Sequence, residues 1–501
     1  MADTKREIER KYEAAAEDEP PDLTGTGGIT AALDRGVTAL DATYYDTADL
    51  RLTRASLTLR RRTGGDDAGW HLKLPVEEGV RDEIRAPLSD TVPQHLHGLV
   101  RSRTRDAALV PLVRLRTARA VHHLVDADGT LLAEVALDRV RAERLGGGTG
   151  TAAWTEIEVE LADDGDPALL DTIDKKFRKT GLRLSSAPSK LARALTETGT
   201  GPDTHGEEEQ PPVTAGDHVL AYVRAQRDAI VALDPAVRRE LPDSVHSLRV
   251  ATRRLRSTFR TFGTVLDRGV TDPLADELKW LAAELGVDRD REVLTDHLTA
   301  ALDELPRELL SGPVRNRLLT WSDARGGGSR RRLAALLDSR RHLELLDGLD
   351  AVIAAPPLLG AAAGKPSKVI TKAVRKDFRK VAGLVGRALD LPPGHDRDVA
   401  LHEARKKTKR TRYAAEAAVP VLGKRAAALV TSMKSLQTLL GDHQDSVMAR
   451  EALRELSEQA HATGESSFTY GVLYGREERR AAAGEAALPE VWRKAERRMR
   501  L

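Results

Sequence analysis

Residues 153–161 read AWTEIEVEL, and residues 5–13 read KREIERKYE. Side chains along a β-strand alternate between its two faces. If both segments are strands, one face of the later segment carries Glu156, Glu158 and Glu160. One face of the earlier segment carries Glu7, Glu9 and Lys11. Like charges on one strand face repel each other unless a cation lies between them. We therefore predict that both strands face a charged interior.

The same period of two continues through the first 200 residues. It predicts six further strands, near residues 39–47, 55–62, 69–75, 79–86, 112–124 and 130–141. Helices are predicted over 92–105 and 167–180. The middle strands carry bases and the first and last carry acids. An exposed sheet face, the alternative, normally mixes the two signs. Eight strands closed into a barrel would turn the charged face into a polar tunnel.

Such a tunnel has a definite chemistry. Carboxylates without nearby His or Cys suit a hard divalent cation, Mg²⁺ or Mn²⁺. Arginine and lysine on the opposite wall suit an anion with several phosphates. A metal ion and positioned cations are the usual requirements of phosphoryl transfer. The residues therefore point to a metal-dependent enzyme that acts on a polyphosphate-like substrate.

At Glu7–Lys11 the chain resembles the CYTH or triphosphate tunnel metalloenzyme family, whose signature is Glu-x-Glu-x-Lys. The resemblance covers residues 4–196 and includes Leu59-Arg60-x-Arg62, Leu72-Lys73-Leu74-Pro75, Arg81-x-Glu83, Arg116, Arg119, Asp138, Glu156-x-Glu158-x-Glu160 and Ser189-Lys190. It implies an eight-stranded tunnel with metal on Glu7, Glu9, Asp138, Glu156 and Glu158. It implies phosphate binding by Lys11, Arg60, Arg62, Lys73, Arg81, Arg116 and Lys190. Glu7, Glu9, Lys11 and Glu158 are the expected catalytic residues.

After residue 196 the pattern changes. Residues 197–217 are rich in Gly, Pro, Thr and acids and are predicted to be a linker. Beyond it a period of 3.6 predicts an all-helical domain, 218–501, that contains an internal repeat. One copy begins at His246 and the other at His402, each with basic residues at the third, seventh, eighth and tenth positions after the histidine. The fold class is thus α+β multidomain: an antiparallel β tunnel with flanking helices, 1–196, and two duplicated helical bundles.

Three predicted helices carry basic stripes. Like charges aligned on a helix destabilise it unless an anion lies along them. The two repeats, His246-x-x-Arg249 and His402-x-x-Arg405 with their following bases, resemble the CHAD domain over about 215–500. The resemblance implies binding of inorganic polyphosphate by His246, Arg249, Arg253, Arg256, Lys372, Arg375, Arg379, His402, Arg405, Lys409 and Arg412. Nucleic acid is disfavoured because no aromatic platform accompanies the stripes.

The amino-acid composition excludes further kinds of site and classes of protein. The chain has 501 residues, 41% of them hydrophobic, and no cysteine, which excludes disulfides and a thiol nucleophile. We expect no membrane span and a cytoplasmic location, with association with polyphosphate granules. The leading hypothesis is a metal-dependent triphosphatase whose helical domain binds polyphosphate. The alternatives are a non-catalytic polyphosphate-binding protein, or a tunnel that acts on thiamine triphosphate or, like an adenylate cyclase, on ATP. The oligomeric state stays open.

Overall fold

The computed structural model describes residues 3–146, 150–199, 211–323 and 329–499. Most of the predicted linker, 200–210, lies outside the described residues. The chain divides into two compact units, Met1–Glu209 and Gln210–Leu501, and each is described by itself. Among the helices described, none combines the length and the apolarity that crossing a bilayer requires.

The first unit is an eight-stranded antiparallel barrel, as the sequence predicts. Its strands are β1 Asp3–Ala14, β2 Ala31–Asp46, β3 Thr58–Thr63, β4 Gly69–Glu77, β5 Val80–Ala86, β6 Val110–Val125, β7 Leu131–Arg144 and β8 Thr151–Leu161. Neighbours follow the order β5-β4-β3-β2-β6-β7-β8-β1, and β1 also pairs with β5. Residues 3–8 of β1 pair with β5, and residues 9–14 pair with β8. This split pairing closes the barrel.

The apolar faces of the strands point outward and are covered by helices. Helix α3, Ala168–Lys179, packs Ile173 and Phe177 against Ile157 and Val159 of β8. Helix α2, Gln94–Thr104, covers β3, β4 and β5 in the same way. Burying one such side chain contributes about 1.5–3 kcal/mol. The charged faces are consequently left to line the interior.

Three short elements were not predicted: α1, Arg51–Arg54; β9, Arg183–Leu184; and α4, Lys190–Glu197. Helix α4 packs Leu191 and Leu195 in one apolar cluster with Val113, Leu115 and Trp154. The interior face of the barrel is therefore apolar near α4 and charged elsewhere. Strand β2 begins at Ala31, earlier than predicted. The prediction missed its first residues because they are mostly exposed and show no clear alternation of apolar and polar side chains.

The second unit is all-helical, as predicted. Its helices are α5 Ala215–Arg238, α6 Ser244–Thr261, α7 Arg268–Glu284, α8 Val287–Asp303, α9 Val314–Asp323, α10 Ser329–Asp338, α11 Arg340–Ala354, α12 Pro366–Asp390, α13 His395–Leu422, α14 Lys424–Ala462 and α15 Phe468–Arg498. The repeat is visible in the packing. A Cβ at Gly286 would overlap the Arg249 guanidinium, and one at Gly441 would lie 3.7 Å from that of Arg405. Both repeats thus place their first arginine against a glycine.

Candidate active site

A cavity of about 310 Å³ lies inside the barrel, and charged side chains line most of it. Strands β7, β8 and β1, which are neighbours, carry the acidic wall with Glu134, Glu158, Glu160, Glu7 and Glu9. Strands β3, β4 and β5 carry the basic wall with Arg60, Arg62, Lys73, Arg81 and Arg85. The structure therefore brings together most of the predicted tunnel residues. Acids predominate on one set of strands and bases on the other, although Lys11 lies on the acidic strand β1 and Glu83 on the basic strand β5.

Three buried carboxylates lie next to this wall: Glu158 lines the cavity itself, Asp138 lines a smaller adjoining pocket, and Glu156 is 2% exposed. One oxygen each of Asp138, Glu156 and Glu158 falls within 4.8 Å of the others. Arg119 of β6 donates to Asp138 at 2.8 and 2.6 Å and to Glu158 at 2.5 Å. The indole nitrogen of Trp154 donates to Glu156 at 2.6 Å. The three acids are held in place by these bonds.

Lys190 is the second cation of this group. Its Nζ lies 2.9 Å from Asp138, 2.7 Å from Glu156 and 2.5 Å from Glu158. The family resemblance implies that Lys190 binds phosphate, whereas the structure places its ammonium among the carboxylates expected to hold metal. Helix α4, which begins at Lys190, brings it there. Ser189 caps that helix by accepting a bond from the Ala192 amide.

Glu9 and Glu7 occupy different surroundings. Lys11 lies 3.2 Å from Glu9 and 2.7 Å from Glu158, so it joins Glu9 to the carboxylate group. Burial disfavours ionisation of Glu9, but Lys11 and Lys73 outweigh burial and lower the pKa of Glu9 to about 2. Glu7 pairs with Lys73, yet burial raises the pKa of Glu7 above its usual value. Glu9 is thus the more strongly ionised of the two.

Nearby acidic side chains partly neutralise the positive charge of the basic wall. Arg60 donates to Glu83 at 3.3 Å, and Arg62 pairs with Asp67 from the turn between β3 and β4. Burial together with the neighbouring Arg60 and Arg119 lowers the pKa of Arg62 to about 9. Such mutual repulsion between guanidinium groups is relieved when an anion binds between them. Arg81 donates to the Pro188 carbonyl at 2.5 Å and lines the same cavity.

Arg116 does not reach the cavity, and the prediction that it binds phosphate there is corrected. Its side chain is 58% exposed and lies 3.8 Å from both Asp41 and Glu143 on the outer surface. Strand β6 turns Leu115, Thr117 and Arg119 inward instead. Arg119 is therefore the cation that β6 contributes. Several other charged residues that line the cavity were missed as binding groups, among them Arg85 and Glu83, which lie on the same strand face as Arg81.

The carboxylates fit a divalent metal in type. Asp138, Glu156, Glu158 and Glu9 offer only oxygen atoms, the ligands that Mg²⁺ and Mn²⁺ prefer. Like-charged groups this close need a compensating cation, and Lys190 and Arg119 supply that charge in this structure. A metal ion bound by these carboxylates would share or replace the contacts that Lys190 and Arg119 make with them. This assignment of ligands stays a proposal.

Helices α6, α12 and α13 carry the predicted basic stripes in the second unit. Lys372, Arg375 and Arg379 of α12 are exposed, as is His246 of α6. His402 of α13 bonds through Nδ1 to the Gln444 side chain at 2.5 Å. Arg249, Arg253, Arg256, Arg405 and Lys409 are half-buried. The buried Nε of Arg405 finds no acceptor among the described residues.

Arg412 differs from the rest of its stripe. It donates to Glu416 at 2.8 Å and lies over the Tyr413 ring, and its side chain is only 15% exposed. Arg254 donates to the same Glu416 at 2.8 Å. The structure therefore engages Arg412 in an internal ion pair and leaves little of it for a ligand.

A cluster of cations, which we call the basic cluster, consists of Arg256, Arg260, Lys380, Lys407 and Arg410. Burial and the adjacent Arg260 and Arg410 lower the pKa of Arg256. Burial, Arg410 and Lys380 lower the pKa of Lys407. Asp377 anchors the cluster by accepting from Arg410 at 2.9 Å. Of this cluster only Arg256 was among the predicted binding residues, because helix wheels do not show which helices are neighbours.

Comparison with known proteins finds one family for each of the two units. A CYTH domain model matches residues 5–195, and a CHAD domain model matches residues 221–454. Two uncharacterized proteins of Mycobacterium tuberculosis, from strains CDC 1551 and H37Rv, are each 38% identical over 510 residues, 99% of this chain and 97% of theirs. PptA from Streptomyces chartreusis matches with 22% identity and a TM-score of 0.46 over 56% of this chain and 100% of its own. The CHAD domain from the plant Ricinus communis matches with 23% identity and a TM-score of 0.43 over 57% of this chain and 92% of its own.

Proposed function

Since the chain belongs to the CYTH and CHAD domain families, we propose that it is a metal-dependent hydrolase of inorganic triphosphate or longer polyphosphate. The tunnel performs the hydrolysis, and the helical domain binds polyphosphate chains. The observation that carries the proposal is the facing of an acidic and a basic wall across one cavity.

The two walls have complementary tasks. Arg60, Arg62 and Lys73 bind the phosphate oxygens, which carry most of the substrate's charge. The carboxylates around Glu158 hold a divalent cation, which when bound neutralises charge on the phosphates. Lys11 and Arg119 favour the ionised form of Glu158 and hold its carboxylate in position. Fixed charges that are already in place lower the barrier of phosphoryl transfer without reorganisation.

The lining of the cavity favours an inorganic substrate. Of the described residues that line it, Tyr44 is the aromatic one, and its hydroxyl is engaged by Arg60 at 3.4 Å. Binding sites for organic bases normally offer apolar or aromatic surfaces against which a ring can stack. Thiamine triphosphate and ATP are therefore weaker candidates than tripolyphosphate.

A phosphate-release assay on the purified full chain tests the tunnel. Tripolyphosphate, long-chain polyphosphate, ATP and thiamine triphosphate are compared with Mg²⁺, with Mn²⁺ and with a chelator. Glu158→Gln should abolish release, because it removes the charge at the centre of the carboxylate group. Glu143→Gln, the same change on the outer surface, is the matched control. Hydrolysis that a chelator does not affect, or that Glu158→Gln does not reduce, would overturn the proposal.

The basic cluster supports polyphosphate binding by the helical domain. Arg256 and Lys407 lie among like charges that depress their pKa values, so an anion along the cluster would relieve repulsion. The variant Arg256→Glu/Lys407→Glu should weaken binding of long polyphosphate and leave tripolyphosphate turnover unchanged. Arg479→Glu, at an exposed site on α15, is the control for charge reversal. Wild-type affinity should also fall steeply with salt, and a flat response would count against binding through phosphate contacts.

A further inference from the structure

Three long helices of the second unit meet at one histidine that the proposed function does not use. His443 of α14 is buried, with 3% of its side chain exposed. Its Nε2 lies 3.3 Å from Oδ1 of Asp398 on α13 and 3.2 Å from Oε1 of Glu485 on α15. Together the three potential ligand atoms fall within 4.8 Å of one another.

The outer oxygens of both carboxylates are held by arginines. Arg397 donates to Oε2 of Glu485 at 2.6 Å, and Nη2 of Arg450 lies 3.5 Å from Oδ2 of Asp398. The inner oxygens are thereby turned toward the imidazole. Groups that bind the outer atoms of ligands in this way are typical of metal sites, where they fix the orientation of the ligands.

The spacing of the three groups admits a metal ion. Nε2 of His443 is within hydrogen-bond reach of Glu485 Oε1 at 3.2 Å and lies 3.3 Å from Asp398 Oδ1, and both distances are longer than the separation of about 2.7–2.9 Å that is typical of a hydrogen bond between charged partners. Four ligands at zinc distances of about 2.0–2.1 Å in a tetrahedron lie roughly 3.3 Å apart. The two observed separations match this spacing. One nitrogen and two carboxylate oxygens, with water in the fourth position, form a ligand set that zinc accepts.

We propose that Asp398, His443 and Glu485, which we call the His443 site, bind one Zn²⁺ ion that links α13, α14 and α15. The histidine ligand belongs to the second repeat alone, since the matching position of the first repeat is Asp288. Partial exposure of Asp398 and Glu485, 20% and 15% of their side chains, gives the ion a route in. The proposal is independent of the tunnel and of polyphosphate binding.

Zinc binding to the full chain, stripped of metal with a chelator, tests the proposal. Zinc is titrated in excess Mg²⁺, which occupies oxygen-only sites such as the tunnel but competes poorly for a site containing histidine. Wild type should retain one equivalent of zinc after dialysis. His443→Gln and Asp398→Asn should each lose that equivalent, whereas His461→Gln, an exposed histidine on the same helix, should keep it. Circular dichroism checks that each variant is folded.

Two further readouts separate coordination from a merely structural histidine. Co²⁺ in place of zinc should give visible absorption bands of a four-coordinate site in wild type, and none of this intensity in Asp398→Asn. Zinc should raise the melting temperature of the helical unit in wild type and in His461→Gln only. Wild type that binds no zinc, or a folded His443→Gln that retains the full equivalent, would overturn the proposal.

Discussion

Replacing Lys190 with methionine removes the ammonium that three buried carboxylates share. Breaking a buried ion pair by removing one partner costs about 3–5 kcal/mol. Arg119 still binds Asp138 and Glu158 after the change, and Lys11 still binds Glu158, so the cost should lie near the lower end, about 3 kcal/mol. In a unit of this size 1 kcal/mol corresponds to about 2–4 °C. The melting temperature of the first unit should therefore fall by about 6–12 °C.

Scanning calorimetry of the full chain in chelator measures the loss, and hydrogen exchange of β8 peptides assigns the transition to the first unit. Lys179→Met, which replaces an exposed lysine at the end of α3, should stay within about 0.5 kcal/mol of wild type. Mn²⁺ should then stabilise Lys190→Met more than wild type, because a divalent cation takes over the missing charge. A variant as stable as wild type in chelator would refute the shared ion pair. A variant that Mn²⁺ does not stabilise would refute the carboxylates as metal ligands.

Three other predictions concern the same barrel. Arg62→Ala should raise KM for tripolyphosphate by about 10–150-fold, the equivalent of one charged hydrogen bond, while Arg116→Ala on the outer surface should change KM less than about twofold. Because the pKa of Glu9 is lower in the folded state, ionised Glu9 stabilises the fold above its unfolded pKa, and this contribution is lost as the pH falls from about 4.5 toward 2. Urea titrations should therefore show a weaker loss of stability over that range in Glu9→Gln than in wild type. Phe177→Ala should cost about 3–5 kcal/mol in the same titrations, since Phe177 is fully buried between α3 and the outer face of the barrel.

Much of the barrel could be predicted because alternation and burial agree along most strands. Ile157 and Val159 lie beneath α3, and Glu156 and Glu158 face inward, as the period of two requires. That agreement failed where a strand buries few of its side chains, as at the start of β2.

The error at Arg116 has a physical cause. Strand β6 crosses both chemical zones of the interior: Leu115 packs near α4, and Arg119, four residues on, reaches the carboxylates. An inward face that changes from apolar to charged along one strand looks like the outer face of a sheet when the sequence is read alone. Arg116 shares its outward face with Arg114, which donates to Asp41 at 2.6 Å. The phosphate-binding role of Arg116 came from the family resemblance alone, which does not show on which face of the strand its side chain lies.

Lys190 shows why sign alone does not assign a role to a buried cation. A lysine near phosphate-binding arginines would add to their repulsion, whereas here it lies within 2.9 Å of three acids. That arrangement depends on α4 entering the barrel beside Trp154, a contact between segments about 35 residues apart that no local period reveals. The three carboxylates consequently need Lys190 and Arg119 as counter-charges. Any metal cation that binds the carboxylates must compete with Lys190 and Arg119. The same two side chains therefore affect both the affinity for metal and the stability of the barrel.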